Sequence, residues 1–133
     1  MEYIQLNTDW NADPNTPETT LKENGNIIEL EFYLNYFLFD SFKEGNKGKL
    51  TFKNCYKYLY SICNDEAYFH EKYRFTHNQL PFGEFYQLKN ATNFKGRFIG
   101  FKTKSLKHYI FIMKETILEC YAEDFKFELK KEN

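Results

Sequence analysis

Residue types that often reveal a specific chemistry are scarce in this chain. Its 133 residues include only 3 Cys, 3 Pro and 6 Gly, and no two cysteines form a C-x-x-C pair. An odd number of cysteines without that spacing argues against a disulfide framework and against a zinc ribbon. We therefore expect three reduced thiols, none of which is unusually reactive at neutral pH.

Arginine is almost absent, since lysine outnumbers it 16 to 2. Only Arg74 and Arg97 could make bidentate contacts, and no nucleic-acid-binding motif is present, so we expect no nucleic-acid partner. The excess of lysine, together with 13 Asn, indicates a low-GC coding bias. This composition predicts a bacterium with an AT-rich genome.

Long hydrophobic runs are also missing. Glu29, Glu31 and Asn35 interrupt the longest apolar stretch, which is therefore unsuited to a membrane span. The first residues have neither the basic nor the apolar region of a secretory signal. We expect a cytoplasmic protein without a membrane partner.

Aromatic residues, in contrast, are abundant. The chain has 15 Phe, 11 Tyr and 1 Trp, and each ring can bury a large area in a core that strands accommodate well. The length suits one domain over 1–133. Within it, 7–23 is rich in Asn, Asp, Thr and Pro and is predicted to be a long polar loop.

Alternation of apolar and polar residues predicts strands. The clearest runs are 27–39 and 50–60, which we expect to pair, and the apolar runs on either side of Lys114 and Glu115 predict a hairpin. Shorter strands are expected at 3–6, 73–76, 84–88, 95–103 and 125–129.

These patterns predict an all-β fold, a single antiparallel β-sandwich or barrel of about seven to nine strands with at most short helical turns. The alternative is an α+β domain in which 65–72 or 34–42 is helical. The 34–42 run is apolar on both faces, so we expect another element to cover its far end. The side chains expected in the core are Phe32, Leu34, Phe52, Tyr56, Phe111 and Leu118. Asn54 falls on the same apolar face and requires a hydrogen-bond partner there.

Charge is segregated along the chain. Residues 1–41 hold eight acids and one lysine, whereas 42–107 hold thirteen basic residues and five acids, and 108–133 hold four and six. One interpretation is complementary surfaces within one solvated domain, because strands from different segments pair. The other is a face that binds a partner.

One polar run has the spacing with which a calcium loop begins. Its oxygen-bearing residues are Asp9, Asn11, Asp13 and Asn15. Pro14 and Thr20 stand where that motif requires Gly and Glu. Asx-turns in a polar loop explain the run better.

A second group carries the residue types that bind transition metals. Its members are Cys63, Glu66, His70 and His77. Their gaps match no established zinc spacing. We therefore predict no metal and no other cofactor.

His108 and Cys120 could form a base and a thiol nucleophile. A hairpin with an even loop at Lys114-Glu115 would place His108 opposite Tyr121 and Cys120 on the other side of the sheet. Only an odd loop would bring the thiol and the imidazole to one face. No catalytic residue is predicted, and His108 and Tyr121 remain candidates for an interface or a pocket.

The segment 80–86 combines a turn with aromatic rings and one carboxylate. Glu84 has no acidic partner nearby, so paired-carboxylate hydrolysis is unsupported. The segment is interpreted as a packed corner, and Phe82 and Glu84 are kept as candidates for a ligand-binding lip.

Five segments together resemble a small bacterial protein family of unassigned function. They are DWNADPN at 9–15, FKNCY at 52–56, NDE at 64–66, LPFGEFY at 80–86 and ECYAEDF at 119–125. The resemblance spans most of the chain and implies no activity and no functional residue. Small cytosolic proteins of this kind sometimes serve as immunity partners of bacterial toxins, an analogy of size and class.

Two functions remain open, and the sequence favours a protein that is not an enzyme. The first is a protein-binding module of the immunity type, since aromatic residues enrich interface cores. The alternative is a small-molecule-binding protein or enzyme with an aromatic-lined pocket. An exposed aromatic patch would favour the first, and a deep closed cavity the second.

Overall fold

The computed structural model describes residues 2–62, 80–81, 83–89, 106–114 and 116–130. Within these ranges the chain forms strands, turns and bends and contains no helix, so none that could cross a bilayer. The predicted all-β fold is confirmed. Residues 34–42 contain a β-bridge at Leu34 and turns at 36–38 and 40–41 but no helix, so that part of the α+β alternative is wrong. Residues 65–72 lie outside the described residues.

Nine strands are present in these ranges. They are β1 (Glu2–Gln5), β2 (Thr20–Asn24), β3 (Ile27–Tyr33), β4 (Lys47–Lys53), β5 (Lys57–Ile62), β6 (Phe85–Lys89), β7 (Lys107–Met113), β8 (Thr116–Ala122) and β9 (Asp124–Leu129). They form a five-stranded sheet in the order β1-β6-β7-β8-β5 and a four-stranded sheet in the order β2-β3-β4-β9. All neighbours are antiparallel, and the two sheets pack as a sandwich.

The first two predicted strands pair as expected, because Leu30 of β3 faces Leu50 of β4. Their apolar residues point to the core, whereas Glu31 and Lys49 face each other on the outer side. β3 ends at Tyr33, before the predicted end at 39. The polar loop expected over 7–23 is also shorter, since 20–23 belong to β2. Predicted strands 73–76 and 95–103 lie outside the described residues.

The predicted hairpin is present as β7 and β8. His108 faces Tyr121, and Tyr109 faces Cys120. This is the register of the even loop, so His108 and Cys120 point to opposite sides of the five-stranded sheet.

The predicted strand 50–60 is bent rather than continuous. Lys53 faces Asp124 in one sheet, whereas Lys57 faces Tyr121 in the other. The segment from Lys53 to Lys57 thus advances four residues, whereas the opposite segment from Asp124 to Tyr121 advances three. The extra residue is a β-bulge. Asn54 lies at this bend with a positive φ of 50°. The pair β4 and β9 therefore continues through the corner as the pair β5 and β8.

The bend explains two errors in the predicted core. Five of the six predicted side chains are buried, but Tyr56 is 64% exposed because it follows the bend instead of facing the other sheet. Asn54 does not lie on the apolar face. It is exposed, and its side chain accepts from Asn26 Nδ2 at 2.9 Å and donates to Glu123.

A residue of the predicted polar loop completes the core. Trp10 is buried, with its indole stacked on Phe127 at 4.0 Å. Its ring also lies 5.7 Å from Phe32 and 5.8 Å from Phe111, on opposite sheets. Trp10 therefore connects the inner faces of the two sheets.

Strand pairing brings the oppositely charged segments together. On the outer side of the four-stranded sheet, Lys49 Nζ lies 3.5 Å from Glu128 Oε1, and Lys130 Nζ lies 2.8 Å from Glu31 Oε2. Glu31 of β3 thus lies opposite Lys49 of β4 and contacts Lys130, the residue that follows β9. These contacts are complementary charges within one domain.

Candidate functional site

An exposed apolar turn follows the buried end of β3. We call Tyr36, Phe37 and Leu38 the aromatic tip. Phe37 is 66% exposed and Leu38 65% exposed, and the rings of Tyr36 and Phe37 stack with centroids 4.2 Å apart. Cover was expected at the far end of the 34–42 run, where Phe42 is partly buried against the core, whereas Phe37 and Leu38 in the middle of the run are exposed.

Asn35 fixes the shape of the aromatic tip. Its Oδ1 accepts from the backbone N–H groups of Phe37 at 3.1 Å and Leu38 at 3.2 Å, an Asx-turn. Asn35 is itself buried, and its backbone N–H donates to the carbonyl of Asn11 at 3.0 Å. The turn is thus anchored to the body of the protein by Asn35.

A cleft of about 270 Å³ adjoins the tip, and we call it the acidic cleft. It is lined by Asp13, Thr16, Tyr33, Leu34, Tyr36, Glu44 and Gly45. Tyr36 belongs to both features, so the tip and the cleft form one surface. The cleft is open and combines two carboxylates with two tyrosine rings, a lining suited to a cation.

The pKa of Tyr36, the residue shared by the tip and the cleft, reflects the nearby carboxylates. Partial desolvation, followed by the negative charges of Glu44 and Asp13, raises the pKa of the Tyr36 hydroxyl. Tyr33 lines the cleft, and Lys47 Nζ lies 4.7 Å from the centroid of its ring. The chain's own lysine thus already makes a cation–π contact with one of these rings.

The four residues considered for calcium do not act together. Asp13 Oδ1 accepts from the backbone N–H groups of Asn15 at 2.8 Å and Thr16 at 3.1 Å, which is the Asx-turn interpretation. Asn11 instead donates to Glu84 at 3.3 Å, and Asp9 is exposed. No group of three or more Asp, Glu, His or Cys residues in the described ranges is placed to hold a metal.

Glu84 anchors the segment that precedes Trp10. Its carboxylate accepts from Gln5 Nε2 at 2.8 Å and from Asn7 Nδ2 at 2.6 Å, as well as from Asn11. Asn7 also accepts from the backbone N–H of Phe85 at 3.0 Å. These bonds give Glu84 a structural role at a packed corner, whereas Phe82 lies outside the described residues.

His108 belongs to a buried polar group on the outer side of the five-stranded sheet. Its ring lies 4.6 Å from that of Tyr121, and its Nε2 contacts the carboxylate of Glu119, which is fully buried. This contact joins β7 to β8 in surroundings formed by Ile110 and Ile117. The contact between His108 and Glu119 thus links two neighbouring strands of one sheet. Cys120 lies on the opposite face.

Three parts of these sites were not predicted from the sequence. The aromatic tip could have been found from Asn35, because an Asn at the end of an alternating run favours an Asx-turn. Glu119 could have been found from the hairpin register, which places it on the same face as His108. The contact between Cys55 and Cys120 had no sequence signal. The cluster of Cys63, Glu66, His70 and His77 lies outside the described residues.

Comparison with known proteins adds no functional assignment. No protein-family model matches this chain, and no curated protein matches it significantly.

Proposed function

We propose that this chain is a protein-binding module of the immunity type, without enzymatic activity, and that it docks its partner on the aromatic tip. The supporting observation is the exposure of Phe37 and Leu38 on a turn that Asn35 holds in place. Aromatic side chains on a preorganised turn lose little conformational entropy on binding and are typical binding hot spots.

The acidic cleft indicates the chemistry of the partner. A lysine or arginine entering beside the tip would meet the carboxylates of Asp13 and Glu44 and the ring of Tyr36. Such a contact adds specificity and speeds association more than it adds affinity. The partner is therefore a protein with a basic side chain next to an apolar surface.

We also propose the setting in which the module works. The composition and the resemblance to a bacterial family point to the bacterial cytoplasm. An immunity-type partner would be a toxin that enters or is made in the same compartment.

The acidic cleft also supports the alternative of a small-molecule-binding protein, here for an organic cation. At about 270 Å³, the cleft falls just below the range of about 300–1,000 Å³ usual for ligand pockets. It is also open, whereas the aromatic tip extends beyond it. Protein docking accounts for both features, and a small ligand accounts only for the cleft.

The test compares partner capture by matched surface variants. Wild-type protein and the double variant Phe37→Ser, Leu38→Ser are immobilised and exposed to a lysate of the native host, and bound proteins are quantified by mass spectrometry. The candidate partner, including the product of a neighbouring gene, is then purified and titrated by calorimetry. We expect the double variant to weaken binding at least about tenfold.

Two further variants make the result specific. Glu44→Gln should weaken binding less and reduce its dependence on salt. Ile4→Ser, a change at an exposed position of β1 on the other sheet, is the control and should bind normally. Equal binding by the wild type and the double variant would refute the proposal. Binding of a small organic cation that depends on Glu44 but not on Phe37 would establish the alternative.

A further inference from the structure

Two cysteines that are distant in sequence meet at the corner between the sheets. Cys55 lies in the bend between β4 and β5, and Cys120 lies on the inner face of β8. The backbone N–H of Tyr56 donates to the carbonyl of Tyr121 at 2.8 Å, and Tyr58 faces Cys120. Cys55 is also packed against the core cluster that contains Cys120, so this corner brings the two side chains into one cluster.

The two thiols have unequal surroundings. Cys55 is half-buried, and its sulfur also lies 3.6 Å from the carbonyl oxygen of Lys57. The neighbouring Cys120 side chain, opposed by partial burial and aided by the carbonyl of Lys57, lowers the pKa of the Cys55 thiol. Complete burial, followed by the contact with Cys55, raises the pKa of Cys120. Cys55 is therefore the thiol that ionises first and the one that solvent reaches.

We propose that Cys55 and Cys120 form a reversible redox site, in which a peroxide oxidises Cys55 and Cys120 then closes an intramolecular disulfide. An accessible thiol beside a second, buried thiol is the arrangement of an attacking and a resolving cysteine. This site is independent of the aromatic tip. It differs from the sequence-based expectation that no thiol is unusually reactive.

The reaction balances in two steps. The Cys55 thiolate attacks one peroxide oxygen, the O–O bond breaks, and the departing hydroxide takes up a proton to give water, which leaves a sulfenic acid on Cys55. The sulfur of Cys120 then attacks the Cys55 sulfur, the S–O bond breaks, and a second water leaves with the proton of Cys120. Two electrons pass from the thiols to the peroxide.

The experiment uses the full chain carrying Cys63→Ser, which removes the third cysteine. The reduced protein is treated with hydrogen peroxide, free thiols are blocked with a maleimide, and intact mass and peptide maps are recorded. We expect both thiols to disappear together, a mass loss of two hydrogens, a linked peptide containing Cys55 and Cys120, and reversal by dithiothreitol. The disulfide closes a long loop and should raise the Tm by more than about 5 °C.

Single-cysteine variants separate the two roles. With Cys120→Ala, oxidation should stop at a sulfenic acid on Cys55 that dimedone traps. With Cys55→Ala, which changes only a half-buried position, Cys120 should resist both peroxide and maleimide in the folded protein. The proposal is refuted if peroxide gives a sulfinic acid on Cys55 with no linked peptide in the Cys63→Ser protein. It is equally refuted if Cys55 reacts with maleimide no faster in the folded chain than in the unfolded chain.

Discussion

The indole of Trp10 lies flat on the ring of Phe127, with centroids 4.0 Å apart and planes 2° from parallel. Trp10 comes from the segment before β2, whereas Phe127 belongs to β9, so the stack joins distant parts of the chain. Rings from the five-stranded sheet also lie near the indole, with centroids 6.2 Å away for Phe85 and 5.8 Å away for Phe111. One side chain from a segment outside the sheets therefore contributes to the packing of both.

Replacing Trp10 by Ala should lower the free energy of unfolding by about 3–5 kcal/mol, because it removes a buried ring that contacts both sheets. Urea denaturation followed by circular dichroism measures the change. Trp10→Phe keeps part of the stack and should cost clearly less. A Trp10→Ala protein with the urea midpoint of the wild type would show that the indole is not part of the core.

Gly48 of β4 should not tolerate a side chain. A Cβ atom there would lie 2.7 Å from Cε1 of Phe127 and 3.1 Å from the side chains of Phe32 and Leu34. Gly48→Ala should therefore destabilise the protein by about 1–3 kcal/mol through overpacking, measured as a shift in Tm. Phe127→Leu removes the clashing ring but also the stack on Trp10, so the two backgrounds are compared: Gly48→Ala should cost clearly less in Phe127→Leu than in the wild type. An equal cost in both backgrounds would contradict this explanation.

Replacing Phe111 in the core should destabilise the protein far more than replacing Phe37 in the aromatic tip. Phe111 is fully buried, so Phe111→Ala should cost about 3–5 kcal/mol, whereas Phe37 is 66% exposed. Phe37→Ala should stay within about 0.5 kcal/mol of the wild type. Denaturation curves of the two variants decide the matter. A large loss of stability on changing Phe37 would mean that the tip serves folding instead of docking.

Stability should depend on pH through Glu31. The hydrogen bond from Lys130 is the main cause that lowers the pKa of Glu31 below 4.5, opposed by burial and aided by the charges of Lys130, Lys22 and Lys47. A carboxylate with a lowered folded pKa stabilises the protein above its unfolded pKa and loses that contribution as pH falls through the folded value. Glu31→Gln should therefore cost about 1 kcal/mol at neutral pH.

The same difference should shrink as the pH falls below 4.5 and through the lower folded pKa. Urea titrations of both proteins at neutral pH and in acid measure it, with Glu2→Gln at an exposed position as the charge control. A difference between wild type and Glu31→Gln that is constant across this range would contradict the assigned role of Lys130.

The fold could be predicted where one face of a strand is buried and the other is solvated. The alternation around Leu30 and Leu50 follows from that arrangement, and the hairpin register around Tyr109 and Cys120 follows from the length of its loop. These signals are local, because each depends on residues that are near one another in sequence.

Features that depend on distant contacts could not be predicted. Trp10 lies in a polar segment, and nothing in its neighbours indicates that it enters the core. Tyr56 continues the alternation of its strand, but the bulge at Asn54 turns the chain before it. Cys55 and Cys120 come together only because β5 pairs with β8. The turn at the aromatic tip is a local feature, because Asn35 forms it. The exposure of the tip is not local, because it depends on how distant elements pack.

The continuous pairing of β4 and β5 with β8 and β9 has a consequence for synthesis of the chain. β4 and β5 emerge from the ribosome long before their partners, which lie at 116–129. Until then, the four-stranded sheet lacks β9 and the five-stranded sheet lacks β8, its link between β7 and β5. A nascent chain released early would present unpaired strands beside exposed rings, so premature termination should produce aggregates and no smaller native form.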